Sequence, residues 1–335
     1  MIPPPRVSIL LPAYNAADTL PACLHSIQRQ TESRWECVLV DDGSTDGTLA
    51  CVHRFAERDD RIVVVTRAHG GIVAALNAGL AKCRGTWVAR MDADDVMHRY
   101  RLALQRTALE GSEWIAAGAH VRLFPRATLT EGRMEYERWL NGIDSPERLR
   151  EEAFVECPVA HPALMIRREV LAAFGYRDVG WPEDYDLILR LLDADLRVGV
   201  VPYRLLCWRD RPARLSRVSA TYSIERFTAC KAAFLAARFL AETAEYILWG
   251  YGETGRAMRR ALLAHGKRPA YIVEVHRGRL GNRIHGAPVI APDTLPRLPR
   301  YPVVVSVAGT VARRQIRAAL RAMGFAEPRD FICAA

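Results

Sequence analysis

Three carboxylates lie within four positions of one another, shortly after a short apolar run. The run, Trp87–Ala89, is typical of a buried strand, and the acids that follow are Asp92, Asp94 and Asp95. Carboxylates this close repel one another unless a cation lies between them. Oxygen ligands suit a hard divalent ion such as Mg²⁺ or Mn²⁺, so Asp92 and Asp94 predict a metal site. The alternative is a solvated turn in which Asp95 caps the next helix.

A second group of acids opens a predicted helix, and a histidine precedes it in the chain. Glu183, Asp184 and Asp186 lie at the helix start, where carboxylates interact favourably with the helix dipole. His161 stands between two prolines, which hold it in an extended segment. The residues alone therefore predict a structural turn histidine and acids that complement the dipole.

A glycine-rich segment in the last third of the chain has the spacing of a nucleotide-binding loop. Gly250, Gly252 and Gly255 follow a predicted strand and open a helix, and Glu274 lies at the end of the next predicted strand, 19 residues beyond Gly255. This is the layout of a dinucleotide-binding fingerprint. The surrounding segment of about 90 residues has fewer strands than a complete dinucleotide domain. NAD binding, nucleotide-sugar binding and an empty scaffold are all compatible with it.

Strands and helices alternate through the front of the chain, and this alternation positions the acids. Apolar runs predict strands over 6–11, 36–40, 61–66 and 87–89. With helices between them, such strands imply right-handed crossovers and a parallel sheet with helices on both faces. Ligands bind beyond the carboxyl ends of strands of this kind. The polar loops at those ends are Pro12–Asn15, Asp41–Asp46, Gly70–Gly71 and Asp92–Asp95.

Five segments resemble family 2 glycosyltransferases of the GT-A fold. They are PAYNAADTL, VLVDDGSTDGT, GGIVAALNAGL, MDADD and WPEDYDLILRL, and the resemblance covers about residues 6–210. The implied fold class is α/β, with a GT-A nucleotide-sugar transferase domain whose sheet is mostly parallel and has helices on both faces. The implied activity is an inverting, metal-dependent transfer of a sugar from a nucleotide-diphosphate sugar to a hydroxyl of a glycan, lipid-linked or polysaccharide acceptor.

The resemblance assigns a donor site and a metal to positions of this chain. Residues expected to contact the nucleotide-sugar are Pro12, Ala13, Tyr14, Asn15, Asp41, Asp42, Asn77, Arg90 and Asp92. Asp92 and Asp94 are implied as the metal-binding DxD motif, with Mn²⁺ or Mg²⁺ as cofactor. One of Asp41 and Asp42 is expected to accept a hydrogen bond from the base. Because a carboxylate accepts the N3–H of uracil or thymine, a UDP- or dTDP-linked donor is favoured.

For three of these positions the sequence leaves two possible roles open. Tyr14 stacks on the base or ribose, or packs at a strand end. Asn77 lies near the donor, or is an exposed polar residue of a helix. Arg90 offsets the neighbouring acidic charge, or reaches the donor.

The resemblance also implies the acceptor side of the site. Asp184 is implied as the catalytic base, with Glu183 as the second choice. His161 is implied to lie near the acceptor, beside its interpretation as a turn residue. The Trp208-Arg209 pair stands where many relatives have Tyr-Arg, and no histidine follows it. A third protein ligand to the metal is therefore not expected from that segment.

The chain divides, by prediction, into a GT-A domain over 1–222, a linking helix over 223–243 and a small Rossmann-like α/β domain over 244–335. The last of these resembles the nucleotide-sugar-binding domains found beside sugar acyltransferases. The linking helix has an apolar side formed by aromatic residues and leucine. Its cationic face is thin, which favours packing over membrane contact.

Charge and composition exclude some partners. Half of the 335 residues are hydrophobic and a quarter are charged, so the chain can bury a core in each of two domains. From residue 244 onward, 15 Arg and Lys stand against 6 Asp and Glu. This basic charge suits acidic partners or anionic membrane surfaces, but a solvated arginine-rich surface is the favoured interpretation. Its arginines do not alternate with aromatic residues, so no nucleic-acid partner is expected.

Cysteines and apolar runs bear on the compartment. The eight cysteines are scattered without a CxxC pair, which indicates neither a zinc site nor a disulfide framework. No apolar run reaches membrane-spanning length, and the start, MIPPPRV, lacks a signal-peptide layout. We expect a cytoplasmic protein, and the family resemblance adds a peripheral position at the inner face of a membrane.

Two other functions are compatible with the sequence. One is a regulatory protein that binds a nucleotide sugar but has a degenerate, inactive catalytic site in its first domain. A test for donor hydrolysis with Mn²⁺ distinguishes this protein from an enzyme. The other is a bifunctional protein with an NAD-dependent C-terminal domain, which an NAD titration tests.

Overall fold

The computed structural model describes residues 4–212 and 214–335. The described chain forms two compact units. The first comprises the residues up to Leu149, Pro158–Val179 and Glu183–Arg214, and the second comprises Arg150–Cys157, Gly180–Pro182 and Leu215–Ala335. The helix predicted as a linker over 223–243 is Ile224–Ala237 and belongs to the second unit. The predicted domain boundaries stay a prediction.

The first unit has one sheet of eight strands in its described part. They are β1 (Val7–Ala13), β2 (Trp35–Asp41), β3 (Ile62–Thr66), β4 (Trp87–Arg90), β5 (Val96–Met97), β6 (Ala116–Phe124), β7 (Met165–Arg167) and β8 (Val198–Arg209). The order is β3-β2-β1-β4-β7-β6-β8-β5. The pairs among β1 to β4 are parallel, as is β6 with β8, whereas β7 is antiparallel to both of its neighbours. The predicted mostly parallel sheet is confirmed.

Helices cover this sheet and connect its first strands. They are α1 (Leu20–Gln28), α2 (Thr48–Ala56), α3 (Ile72–Leu80), α4 (Arg101–Glu110), α5 (Glu131–Leu140), α6 (Pro146–Glu152), of which the residues from Arg150 onward belong to the second unit, α7 (Arg168–Phe174) and α8 (Glu183–Asp193). Because helices and loops cover both faces, β1 and β2 are buried along their whole lengths. Gly79 brings α3 close to the sheet, since a Cβ there would approach Leu10 Cδ1 to 2.4 Å.

Three elements differ from the sequence prediction. The apolar runs over 198–202 and 205–208 predict two short strands. They form the single strand β8, because β6 pairs with it along its length and a register shift accommodates the irregularity. The two-residue strand β5, which pairs with β8, was not predicted. The polar, Arg- and Glu-rich stretch 133–149 is compatible with one helix by its sequence. It contains parts of two helices, α5 and α6, and between them the Asn141 side chain hydrogen bonds to the backbone of Val121.

The second unit has its own sheet, in the order β11-β12-β10-β9-β13-β14. Its elements are α9 (Leu215–Val218), α10 (Ile224–Ala237), β9 (Glu245–Trp249), α11 (Glu253–Leu263), β10 (Arg268–Val273), β11 (Arg283–Ile284), β12 (Ala287–Ile290), β13 (Val303–Val305), α12 (Thr310–Ala322) and β14 (Phe331–Cys333). Only the β11–β12 pair is antiparallel among these described strands. In chain order the parallel strands lie third, second, first, fourth and fifth, the order of Rossmann folds. The β11–β12 hairpin was not predicted.

Every helix in the described ranges is too short or too polar to cross a membrane.

Candidate active site

The carboxylates of Asp92, Asp94 and Asp95 lie together just beyond the end of β4. One oxygen from each falls within 4.8 Å of the other two. Asp95 is fully buried; its Oδ1 accepts a hydrogen bond from the backbone N–H of Arg209 at 2.7 Å, and its Oδ2 has no partner among the described residues. The next helix, α4, begins only at Arg101. The alternative in which Asp95 caps that helix is therefore wrong, and the three acids form a cluster with an unsatisfied oxygen.

The three carboxyls differ in how well the protein compensates their charge. Burial raises the pKa of Asp94 and of Asp95 above its ordinary value, and the charge of Asp92 raises both further. Burial also acts to raise the pKa of Asp92, but the guanidinium groups of Arg90 and Arg214 outweigh it, so that this pKa is lowered. An added cation therefore stabilises Asp94 and Asp95 more than it stabilises Asp92.

Arginine side chains bring positive charge to the same cluster. Arg90 forms an ion pair with Asp92 Oδ1. Arg214 Nη2 lies 3.6 Å from Asp92 Oδ2, and Arg211 Nε lies 3.3 Å from Asp94 Oδ2. Of the two predicted roles of Arg90, this geometry matches the one in which it offsets acidic charge. The cluster thus contains three guanidinium groups beside its three carboxyl groups.

Arg211 and Arg214 were not singled out from the sequence. They follow β8, and the guanidinium of Arg214 lies 4.2 Å from the centre of the Trp208 ring. Arg209, in the place of the family's Tyr-Arg, donates from Nε to the backbone oxygen of Asp94 at 2.7 Å. The available signal was the run of basic residues directly after a predicted strand. Its meaning depends on pairing between β8 and β5, which brings the run beside the acids.

Arg90 also links the acidic cluster to the second acidic motif. Burial opposes its charge, but Asp92, then Tyr176 and Glu183, act in the other direction and raise the pKa of Arg90 above its ordinary value. His161 lies in the same buried network. Its Nδ1 is 3.6 Å from Glu183 Oε1, and its Nε2 is 3.0 Å from the hydroxyl of Tyr176. The acidic cluster after β4 and the Glu183–Asp184 motif are far apart in sequence, but they therefore belong to one electrostatic network.

His161 is a neutral part of this network. Burial and the charge of Arg90 lower the pKa of His161, although Glu183 acts to raise it. Its ordinary value is already about 6.5, so the ring is uncharged at pH 7. A neutral imidazole has one donor and one acceptor nitrogen, and here both face polar groups. This arrangement holds Glu183 in a fixed position at the start of α8.

The three acids at the start of α8 have different environments. Asp186 is fully buried and forms ion pairs with Arg177 at 2.6 Å and with Arg190 at 2.7 Å. Glu183 is buried, whereas Asp184 is partly exposed and its Oδ1 accepts the next backbone N–H at 2.7 Å. Asp186 is therefore a structural residue. Of the two predicted bases, Asp184 is the one that retains solvent access.

The segment after β1 was predicted to line the nucleotide pocket. Pro12 and Ala13 end β1, both buried, and Tyr14 follows with 47% of its surface exposed. The Tyr14 ring stacks on His69, with 4.1 Å between ring centres. Tyr14 is therefore not packed away at the strand end, and its ring has surface that a planar base or a ribose can cover.

Asn15 connects this segment to the loop after β2. Its φ of +47° lies in the left-handed region, which asparagine tolerates better than most residues. Its side-chain oxygen accepts the backbone N–H of Thr45 at 2.9 Å, and its own N–H donates to Ser44 Oγ at 2.9 Å. Asn15 thus fixes the two polar loops to each other.

Asp41 and Asp42 are both buried, but they differ in what remains available. Asp42 forms an ion pair with Arg67 at 2.5 Å and accepts hydrogen bonds from the backbone N–H groups of Gly70 and Gly71. Asp41 Oδ2 accepts a weak bond from Ser44 N–H at 3.3 Å, and its Oδ1 has no partner among the described residues. The acceptor that remains unsatisfied therefore belongs to Asp41.

Both polar atoms of the Asn77 side-chain amide form hydrogen bonds within the protein. Its Nδ2 donates to the backbone oxygen of Tyr176 at 2.9 Å, and its Oδ1 accepts the Tyr176 N–H at 3.1 Å. It is partly buried rather than exposed. Asn77 therefore anchors the segment that carries Tyr176, the hydroxyl partner of His161. This role links residues far apart in sequence and was missed.

Residues 8–175, half of the chain, match the family described as Glycosyl transferase family 2. This chain belongs to glycosyl transferase family 2. Among its relatives, the uncharacterized glycosyltransferase EpsJ of Bacillus subtilis (strain 168) is 27% identical over 222 residues, which cover 64% of this chain and 64% of that protein. The chain thus spans slightly less than two thirds of that relative's length.

Solved structures show the same architecture. S. aureus TarS, in a crystal structure of residues 1-349 with UDP-GlcNAc, has a TM-score of 0.54 at 17% identity, covering 78% of this chain and 72% of that one. The mannosyltransferase PcManGT from Pyrobaculum calidifontis, in complex with GDP-Man and Mn²⁺, has a TM-score of 0.50 at 22% identity, covering 78% and 73%. At these identities the likeness shows the fold. The predicted GT-A fold and the predicted glycosyltransferase class are confirmed.

Proposed function

We propose that this chain is an inverting, metal-dependent glycosyltransferase that moves a sugar from a nucleotide-diphosphate donor to a hydroxyl group of a glycan, lipid-linked or polysaccharide acceptor. One observation carries the proposal. The clustered carboxylates of Asp92, Asp94 and Asp95 share a buried network with the Glu183–Asp184 motif. A site for the leaving diphosphate and a base for the acceptor then lie in one compact unit.

The acidic cluster has the chemistry that a hard divalent cation needs. Its ligands are all carboxylate oxygens, which suit Mn²⁺ or Mg²⁺, and the buried Oδ2 of Asp95 lacks a partner among the described residues. Asp92 and Asp94 would hold the ion, with Asp95 beside them. When bound, such an ion neutralises the charge that develops on the departing diphosphate. The presence of Mn²⁺ with PcManGT supports this choice.

Residues of this chain then supply the remaining steps. Asp184 takes the proton of the acceptor hydroxyl while that oxygen forms a bond to the anomeric carbon. The bond from that carbon to the diphosphate breaks on the opposite face, and this single displacement inverts the configuration. Glu183 is a positioning residue, because it is buried against His161 and holds the start of α8.

The donor nucleotide is bound at the ends of β1 and β2. Asp41 Oδ1 accepts the N3–H of the base, since Asp42 is already bonded to Arg67 and to two backbone N–H groups. Uracil and thymine have an N3–H in this position, which favours a UDP- or dTDP-linked donor. The exposed Tyr14 ring stacks on the base or ribose. TarS with UDP-GlcNAc and PcManGT with GDP-Man support a nucleotide-sugar donor in general.

A donor panel tests the proposed function. Slow hydrolysis of the donor by water in place of the acceptor is expected with Mn²⁺, and it should be about tenfold faster for UDP- or dTDP-sugars than for GDP-sugars, because one mismatched buried hydrogen bond costs about 1–3 kcal/mol. Release of nucleoside diphosphate is measured for each donor, with and without EDTA. Absence of hydrolysis with every donor favours the regulatory alternative and contradicts the enzyme.

Arg211 and Arg214 affect both the metal and the donor. In this conformation they lie beside Asp94 and Asp92, where their charge competes with a cation. Guanidinium groups also bind diphosphate oxygens well. We therefore assign them to the donor diphosphate in the complex, which would release the carboxylates to the metal.

Arg214→Ala should tighten Mn²⁺ binding to the free protein by about tenfold, because it removes a positive charge beside a metal ligand. The same change should raise KM for the donor, since a diphosphate partner is lost. Mn²⁺ affinity is measured by titration with paramagnetic resonance detection of the free ion. The matched control is Arg204→Ala, an exposed arginine of β8. Weaker Mn²⁺ binding in Arg214→Ala would contradict the competition.

A further inference from the structure

The strand order of the second unit reverses between β9 and β13, which marks the place of a crevice in sheets of this kind. From β9 the chain passes to β10 and β12 on one side, and then returns to β13 and β14 on the other. In open α/β sheets ligands bind outside the strand ends at such a reversal. We infer that this crevice binds a ribonucleoside 5′-diphosphate group, carried by a nucleotide sugar or by a dinucleotide, as a second site within the second unit.

Each glycine of the loop after β9 has a distinct geometric reason to be glycine. Gly250 has a φ of +94°, in the left-handed region. A Cβ at Gly255 would lie 2.1 Å from the backbone oxygen of Gly250. Gly252 is different, because its φ is −74° and nothing lies within 4 Å of the position a Cβ would take. Nothing within the described protein requires glycine there, but close approach of a diphosphate to the loop backbone does.

A charged pair lies beside this loop. Glu274 directly follows β10, and its Oε2 accepts a hydrogen bond from Arg279 Nη1 at 2.9 Å. The same nitrogen donates to the backbone oxygen of Tyr251, inside the glycine loop, at 3.1 Å. Glu274 occupies the position where a carboxylate accepts ribose hydroxyls. Arg279 thus connects Glu274 to the loop and brings a guanidinium group beside it.

A buried, unsatisfied hydroxyl lies against the same loop. Ser306 directly follows β13 and is 2% exposed, and its Oγ has no partner among the described residues. The backbone oxygen of Ser306 accepts a hydrogen bond from Thr254 Oγ1 at 2.9 Å, so the residue packs against the first turn of α11. Leaving a buried hydroxyl unpaired costs free energy. A polar ligand in the crevice offers it a partner.

Two valines that follow the same strands are exposed. Val275 follows Glu274 and is 73% exposed, and Val311 is the second residue of α12 and is 60% exposed. The strands that lead to them, β10 and β13, lie on either side of β9. Exposed apolar side chains beyond these strand ends suit contact with a planar base.

Titration of the full chain tests this site. The probes are ADP, UDP, GDP and NADH, each measured by calorimetry in EDTA. At least one probe is expected to bind at one site per chain. Gly252→Val should weaken it by about tenfold or more, because the new side chain fills the approach to the loop, and Glu274→Gln should weaken it about tenfold. Gly132→Val, at an equally open glycine in α5, is the matched control and should bind as the wild type does.

The outcomes separate the possible ligands. Preference for NADH over the mononucleotides identifies a dinucleotide. Binding of UDP or GDP identifies a nucleotide sugar when Gly252→Val weakens it, because the donor site of the first unit does not contain this glycine. Equal affinity in Gly252→Val and the wild type overturns the inference, because the binding then occurs elsewhere. Binding of no probe at millimolar concentration also overturns it and leaves an empty scaffold. If Gly252→Val fails to fold, Glu274→Gln still decides, since it exchanges one oxygen for a nitrogen.

Discussion

Asp94→Ala should lower glycosyl transfer by about 10³-fold, equivalent to about 4 kcal/mol, and should remove its dependence on added Mn²⁺. Asp94 is one of the two carboxylates that gain most from a cation, the other being Asp95. Asp94 is largely buried beside Asp92, and burial followed by the charge of Asp92 raises its pKa. Asp92 already has Arg90 as a partner, and one oxygen of Asp95 is bonded to the Arg209 backbone. Removal of Asp94 therefore removes a proposed metal ligand whose charge a cation stabilises.

Three measurements on Asp94→Ala separate its metal role from damage to the fold. Transfer is measured over a range of Mn²⁺ concentrations, Mn²⁺ affinity is measured directly, and thermal unfolding is followed alongside. Asp60→Ala, which replaces an exposed aspartate, is the control and should change none of them. Activity of the wild type that persists in EDTA contradicts the metal role. Loss of transfer without loss of Mn²⁺ affinity contradicts the assignment of Asp94 as ligand.

The parts of this site that the sequence predicts are those set by local pattern. Trp87 to Ala89 is apolar and leads into clustered acids, so a strand end with converging carboxylates follows directly. The same reasoning places Pro12 and Asp41 at neighbouring strand ends, and the register of β1 with β2 pairs Pro12 with Val40 and Ala13 with Asp41. Parallel strands connected by helices have few alternatives in topology. Fold class and the location of the site were accessible for this reason.

The parts that could not be predicted depend on contacts between distant segments. Whether Asp41 or Asp42 remains free is decided by Arg67 and by the N–H groups of Gly70 and Gly71. No spacing rule connects these residues. Charge compensation by Arg211 and Arg214 likewise depends on the way β8 returns to pair with β5. Sequence patterns report faces and strand ends, whereas these pairings are set by the packing of the folded chain.

The division of the chain shows the same limit. The segments 150–157 and 180–182 belong to the second unit although they lie between parts of the first. Composition gives no sign of this, because both segments are short and their membership is decided by contacts. Within the second unit Arg317 forms buried ion pairs with Glu152 at 2.6 Å and Glu327 at 2.9 Å. Removing one partner of a buried pair is costly, so these contacts hold the inserted segment in place.

Asp184→Asn should reduce transfer by about 10²–10⁴-fold while leaving the affinity for the donor within about twofold of the wild type. Asparagine keeps the oxygen that accepts the backbone N–H of Tyr185, so the start of α8 is preserved and only the basicity is lost. Partial exposure makes Asp184 accessible to an acceptor hydroxyl, whereas Glu183 is buried against His161. Transfer and donor binding are measured on the same preparation, since a base acts on the first and not on the second.

Glu183→Gln separates the base from its neighbour. If Glu183 only positions the helix, this variant should lose less transfer than Asp184→Asn and should keep the acidic limb of the pH profile of kcat/KM, which reports ionisation of the free base. Loss of that limb in Glu183→Gln, with normal turnover in Asp184→Asn, would reverse the two roles. Asp178→Asn, an exposed aspartate before α8, controls for the change of charge. The exposure of Asp184 and the burial of Glu183 are the physical basis for expecting the limb to belong to Asp184.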